Sequence, residues 1–333
     1  MSVAHEQEFQ APPPPAPPVP AKRRLRPTKL LFVAIGIFVV GLILAIGGFT
    51  KLLPSAIFPG LVFLLWALVM AGLSFIPRPQ VDSKEEPLST VQTLTGIFFE
   101  PTRVFRNLRV HPRWAAAFIV IIVLSLAYSY AFVRRVTPER IVNFNMDKLA
   151  ESGFMPPEAV EPQRQIQLAE ARNPISQVMQ LFSSTAAIFL KYCAFAALIL
   201  LGVLAFGGRM HFWQAFSAVL YVVLPWIVIQ KILSLGLLYL KSPDDIHPIL
   251  NQETLVQDNL AILVSPAEHP VLFVLLSVIG VLWIYWIWML AKGIQNTGTK
   301  VSGSAAWGVT ITLTVVMIVF GVVMASFFGS WMA

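Results

Sequence analysis

Charge is scarce in this chain. Asp, Glu, Lys and Arg make up 12% of its 333 residues, against ~25% in soluble domains. Hydrophobic residues make up 56%, more than a water-soluble fold of this length can hide, so lipid is the solvent for much of it. Cysteine is nearly absent. The one cysteine, Cys193, lies in an apolar run, which excludes intramolecular disulfides and cysteine zinc sites and makes it a small apolar filler. No apolar run contains an acid or a histidine, so intramembrane proton relays, zinc proteolysis and carboxylate catalysis lack their groups. The HExxH, GxSxG and phosphate-binding glycine patterns are missing. No enzyme activity, cofactor or metal is expected. A cleavable signal peptide is not evident either, because the first apolar run starts about thirty residues in and is too long for an h-region.

What the chain has in quantity is runs of the ~20 apolar residues that cross ~30 Å of hydrocarbon. They fall at 29–49, 57–76, 114–133, twice within 182–240, at 270–291 and at 305–328. The expected fold is all-α: a polytopic integral membrane bundle of about seven transmembrane helices. The stretch 182–240 organises it, as two arms joined by a turn at Gly207-Gly208-Arg209. The net charge of +7 comes from residues at span ends, and no basic patch with interleaved aromatics suggests nucleic acid.

Residues 1–29 form a proline-rich basic tail. Prolines in 11–20 favour an extended polyproline rod, read as a spacer or as a docking peptide. Lys22, Arg23, Arg24, Arg26 and Lys29 follow and are drawn to anionic lipid. Residues 30–76 form an N-terminal two-helix hairpin, in which Gly41 and Ala45 share a face and permit close contact. Residues 77–113 form a linker with an amphipathic helix started by Pro101. Val104, Phe105 and Leu108 take one side; Arg103, Arg106, Asn107 and Arg109 take the other. That helix lies in the headgroup plane, with the arginines on the lipid surface, or packs on the end of the bundle. Thr137-Pro138-Glu139 resembles a helix start, and 158–172 suggests a second helix outside the hydrocarbon. The loop 241–269 is acidic. Trp283, Tyr285, Trp286 and Trp288 read as interface anchors near the end of the sixth span. Gly321, Ala325 and Gly329, and Ser304, Gly308 and Thr312, read as stripes for close packing. Lysine and arginine favour the side of the N-terminal tail, which places the N-terminus inside and the C-terminus outside.

Two lysines lie inside spans, Lys191 and Lys231, and ionisable residues there are functional candidates. At 1.5 Å per residue, Lys191 lies ~22 Å from Phe206 and Lys231 ~28 Å from Phe212, both in the outer half of the membrane. Each can snorkel to the interface, meet the acidic loop near Asp244 and Asp245, or line a polar cavity. Tyr221 and Pro225 form a second candidate. The proline frees the Tyr221 carbonyl, giving either a functional bend or a static packing kink. His247 and His269, with Asp244, Asp245 and Glu268, match no metal-ligand spacing.

Gly96-Ile97-Phe98-Phe99-Glu100-Pro101, then Val104-Phe105 and Pro112-Arg113-Trp114, resemble the start of the Yip domain, a membrane family named for interaction with Ypt/Rab GTPases. Phe206-Gly207-Gly208-Arg209, Trp213-Gln214-Ala215-Phe216 and Tyr221-Val222-Val223-Leu224-Pro225 resemble its central hairpin. The resemblance covers 90–328 and implies a five-span domain, with the first two spans as an added module. The Asp-Leu-Tyr-Gly-Pro signature of eukaryotic members is missing, and the chain is most similar to bacterial members. The resemblance therefore implies a non-enzymatic protein of the bacterial cytoplasmic membrane. Two functions are expected on these grounds. One is a membrane scaffold with protein partners at its cytoplasmic face. The other is a transporter of small molecules, ions or lipids using a polar cavity near Lys191 and Lys231.

Overall fold

The structure, a computed structural model, describes residues 28–53, 56–77, 85–153 and 155–328. The proline-rich and basic tail up to residue 27 lies outside the described residues, as does Gly329. The described residues form helices and no sheet strand. In chain order these are α1 (Leu30–Phe49), α2 (Ile57–Ser74), α3 (Thr90–Phe99), α4 (Pro101–Val110), α5 (Ala115–Val136) and α6 (Pro138–Glu151). There follow α7 (Pro157–Arg172), α8 (Pro174–Ala205), α9 (Phe212–Leu240), α10 (Pro270–Ser277), α11 (Val281–Thr297) and α12 (Gly303–Phe328). Six of them, α1, α2, α5, α8, α9 and α12, are long and apolar enough to cross a membrane. Phe32, Phe58, Ile119, Leu201 and Phe320 stand more than half exposed on their outer faces, the surface that hydrocarbon covers in a polytopic bundle.

The central shaft is α9. Every residue from Trp213 to Pro225 is buried, as a helix apolar on all sides requires. Around it pack α5, α8 and α11, with α3 and α4 against its first turns. The turn from α8 into α9 needs glycine. Gly207 has φ +75°, and a Cβ on Gly208 would lie 2.8 Å from Val301 Cγ2. Arg209 and Thr299 exchange backbone hydrogen bonds of 2.8 and 2.7 Å there, so this turn and the α11–α12 connection close the same end. That end is called the turn end; the opposite one, with α6, α7 and residues 241–269, is the loop end.

The expected close contact in the hairpin is present. A Cβ on Gly41 would lie 2.9 Å from Phe63 Cβ, and one on Gly60 would lie 2.6 Å from the Ala45 nitrogen. On α12 only part of the expected stripe packs. Gly308 meets the Phe206 ring and Gly321 meets Val274, while Ser304 and Thr312 are exposed. A step of four residues drifts ~40° around a helix of 3.6 residues per turn, so the contact passes to Ala306, Val309, Thr310 and Leu313.

The sixth expected span, 270–291, is not one helix. Gly280 is extended, with φ −146° and ψ 158°, and divides it into α10 and α11, both packed along α12. The cause is a distant segment. Leu260 N–H donates to the Ile279 carbonyl at 3.1 Å, and the Asp258 carboxylate accepts from Leu282 N–H at 2.7 Å. A Cβ on Gly280 would lie 2.9 Å from Asn259 Cβ, so the loop can press this closely only where a side chain is missing. The aromatic group there is also relocated. Trp286 is buried, 5.9 Å from the Phe195 ring, and stacks on Trp283 at 5.0 Å; it fills the core.

Outside the spans, Thr137 caps α6 through its side-chain oxygen. Arg164 reaches from α7 to Asp147 at 2.7 Å, and Arg172 to Glu139 at 3.1 Å. Val142, Met146 and Val160 form a small core between α6 and α7. The Glu139 carboxyl is held below its usual range, first by a backbone hydrogen bond at the start of α6 and then by Arg172.

Candidate functional site

At the loop end the two lysines have different surroundings. Lys231 is 7% exposed. Its ammonium donates to the Glu253 carbonyl and lies 4.6 Å from the centre of the Tyr128 ring. Tyr128 in turn donates from its hydroxyl to the Asn251 carbonyl at 2.6 Å. One turn further along α9, Ser234 Oγ accepts from Leu255 N–H and lies 3.0 Å from Thr254 Oγ1. Residues 251–255 are therefore clasped onto α5 and α9 by hydroxyls, a ring and an ammonium. Lys191 is exposed on α8, its ammonium 5.4 Å from the Tyr192 ring. Lys191 and Glu253 are the charged groups acting on Lys231.

Of the alternatives for Lys231, contact with the acidic loop is the one present, at Glu253 and not at Asp244. Asp244 lies 3.9 Å from Arg140, whose guanidinium also donates to the Pro243 and Asp244 carbonyls. Arg135 donates to the Lys241 carbonyl at 3.1 Å. These arginines satisfy carbonyls of the segment that follows α9, from its capping residue Lys241 to Asp244. His247 Nδ1 accepts from the N–H groups of Ile249 and Leu250, both at 3.1 Å, and its ring meets Phe144 edge-on. No group of three or more His, Cys, Asp or Glu able to hold a metal occurs among the described residues.

The Lys231 clasp carries a direct prediction. Lys231→Met keeps the length of the side chain but removes the donor to Glu253 and the charge over Tyr128. It should loosen the loop by about 1–2 kcal/mol. Hydrogen exchange over 250–256 should then speed up while exchange in α9 below Pro225 stays unchanged. Unchanged loop protection would show that the clasp contributes nothing.

Tyr221 and Pro225 lie in the core of α9, which continues through the proline to Leu240. Val222 and Phe105 close on Gly293 of α11: a Cβ there would lie 3.0 Å from Val222 Cγ2 and 3.3 Å from Phe105. The α4 side expected to be apolar is thus buried between α9 and α11. Asn107, expected among the polar residues, is buried too. Its side chain donates to the Glu86 carbonyl at 3.0 Å and accepts from Leu88 N–H at 3.3 Å. His111 and Arg113 reach the Glu85 and Leu88 carbonyls, both at 3.0 Å. The segment 85–88 is thereby strapped along α4. Helix α3, which the linker reading did not separate, folds back on α4, with Gly96 against Val104. Its start carries a legible signal, a reciprocal capping box between Ser89 and Gln92.

Arg103 and Arg106 are exposed and Arg109 is half-buried. A groove of about 720 Å³ runs beside them, lined by Glu85, Glu86, Phe99, Glu100, Arg103, Arg106 and Trp288 among others. Phe99 is 85% exposed. Glu100 and Arg103 pair at 2.9 Å. Lys191 and Lys231 take no part in this groove.

The motif residues quoted above converge at the turn end. Trp114 stacks on Trp213 at 6.2 Å and meets Phe216 at 5.5 Å; Phe189 meets Phe216 at 5.4 Å. Trp213 Nε1 donates to the Ile76 carbonyl at 3.1 Å, tying α2 to the same cluster. The family model described as the Yip1 domain matches residues 95–324. That match runs from α3 into α12 and leaves α1 and α2 outside it. No curated protein and no solved structure matches the chain.

Proposed function

Because the chain belongs to the Yip1 domain family of membrane proteins, we propose that it is a non-enzymatic scaffold that presents its turn end to protein partners. The observation that carries this reading is the fate of the buried ammonium. A transporter built around Lys191 and Lys231 needs a polar path to both. Lys231 is instead occupied by a loop carbonyl and a tyrosine ring, and Lys191 stands on the outer surface. The shaft α9 is enclosed from Trp213 to Pro225, which favours a packed frame over a moving gate.

In this reading the turn end faces the cytoplasm of a bacterial cell, with the N-terminus inside and the C-terminus outside. Lys29, Arg103, Arg106, Arg109, Arg113, Arg209, Lys292 and Lys300 all lie toward that end, as the positive-inside rule favours. The test is a photo-crosslinking residue placed in living cells at Lys300 of the turn end, and at Glu268 of the loop end as control. Reproducible protein adducts from Lys300 alone are expected. Adducts from neither position, or from Glu268 alone, would overturn the scaffold reading. Retention of full function in a Lys191→Met, Lys231→Met double variant is expected alongside, and its loss would favour transport.

A further inference from the structure

The groove beside α4 sets charges of both signs against an apolar border. It holds three carboxylates, Glu85, Glu86 and Glu100, and two guanidiniums, Arg103 and Arg106, in a frame of Leu88, Phe99 and Trp288. Arg106 and the Glu86 carboxylate make no ion pair among the described residues. The Glu100–Arg103 pair is 58–65% exposed, and exposed pairs of this kind hold together by ~1 kcal/mol or less, so a competing ligand can open it. Phe99 at 85% and Trp288 at 38% exposure supply the apolar border. Trp288 belongs to α11, whose outward neighbours Val281 and Ile284 are exposed apolar residues on the lipid side. The groove thus opens sideways, where polar headgroups meet hydrocarbon.

We infer that this groove holds the headgroup of a zwitterionic phospholipid bearing a primary amine. Arg103 and Arg106 suit the phosphate, which guanidinium recognises by paired charge-assisted hydrogen bonds. Glu86 and Glu100 suit the ammonium, whose three N–H donors a quaternary amine lacks. Phe99 and Trp288 border the glycerol and the start of the acyl chains, as aromatic residues do at membrane interfaces. A purely anionic headgroup satisfies the arginines but meets three carboxylates at the same site. The volume, about 720 Å³, falls in the ~300–1,000 Å³ range of sites that enclose small ligands. Lipid selectivity of this kind is separate from the scaffold reading, because it holds or fails whatever protein docks at the turn end.

The test uses the full-length protein in detergent, mixed with equal amounts of phosphatidylethanolamine, phosphatidylcholine and phosphatidylglycerol, with bound lipid counted by native mass spectrometry. Phosphatidylethanolamine should be retained over each of the others by about ten-fold or more, the factor expected from one charge-assisted hydrogen bond. The double change Arg103→Gln, Arg106→Gln should lower retention of all three lipids, because each carries the phosphate. The double change Glu86→Gln, Glu100→Gln should lower phosphatidylethanolamine while sparing or raising phosphatidylglycerol. Both sides of the groove are exposed, so thermal unfolding of these variants should match the parent. Equal retention of the three lipids by the parent protein overturns the inference without any variant. So does a preference that survives Glu86→Gln, Glu100→Gln, or phosphatidylcholine retained as well as phosphatidylethanolamine.

Discussion

Gly60→Leu should separate α1 from α2 and lower stability by ~3 kcal/mol, the upper part of the range for overpacking a tight contact. The reason is what the new side chain would meet. A Cβ at Gly60 lies 2.6 Å from the Ala45 nitrogen, 2.9 Å from Ala45 Cα and 3.0 Å from the Gly41 carbonyl oxygen. All three are backbone atoms, so no rotamer change relieves the clash and the helices must move apart. In lipid, helices gain little from the hydrophobic effect on pairing, and association rests on close packing. Gly41 lies on the opposite side of the same contact, 2.9 Å from Phe63 Cβ if a Cβ is built, so separation at one glycine loosens the other. The control is Gly36→Leu, where nothing lies within 4 Å of the added Cβ. Thermal unfolding in detergent should drop sharply for Gly60→Leu and hardly move for Gly36→Leu. Equal shifts for the two would show that α1 and α2 are not held by this crossing. The loss should spread beyond the hairpin, because Phe63 meets Phe182 at 6.2 Å and Trp66 meets Phe189 at 6.1 Å, joining α2 to α8.

How much of this was legible depended on how local the cause was. Six of the spans were legible because each is an apolar run that folds as one helix, and Gly41 with Ala45 marked a contact because both lie on one stripe. Thr137-Pro138-Glu139 marked a helix start because a cap and a first-turn proline are adjacent in sequence. The break at Gly280 was not legible. A lone glycine in an apolar run reads as a tolerated helix residue, and the residues that hold it open, Asp258 and Asn259, are more than twenty positions away. The partner of Lys231 was hidden for a related reason. Sequence reading looks for a carboxylate, and the group that binds the ammonium is a backbone carbonyl, which every residue carries. Asn107 was assigned to the polar side by chemistry and angle, yet it is buried because the strap 85–88 covers it.

The family resemblance adds to this once its residues are seen together. Trp114, Trp213, Gln214 and Phe216 come from two distant motifs and meet at the start of α9. Their shared environment is packing and hydrogen bonding at one end of the shaft. The motifs are therefore signatures of how five segments close around α9, and they say less about what docks on the result. The exposed groups that this frame presents, Arg103, Arg106 and Phe99 among them, are the ones the proposed lipid site draws on.

The sharpest test of that frame is Gln214→Met, which keeps the shape of the side chain and removes both of its hydrogen-bonding groups. Gln214 is 1% exposed. Its Oε1 accepts from His211 N–H at 2.8 Å, closing the first turn of α9, and its Nε2 donates to the Arg109 carbonyl at 2.6 Å, fixing the end of α4. The substitution leaves a donor and an acceptor without partners in a packed, lipid-surrounded site. Each such group costs ~1–3 kcal/mol, and their partial burial places the sum at about 3 kcal/mol. The loss should have a direction. The end of α4 should release first, so trypsin should cut at Arg109 and Arg113 in the variant well before the spans unfold. The loop-end clasp at Lys231, ~25 Å away along α9, should keep its exchange protection. Uniform loosening of both ends would mean that α9 behaves as one unit and that Gln214 is not a local tie. A variant as resistant to trypsin as the parent would show that the strap on Asn107 and the contact at Gly293 hold α4 without it.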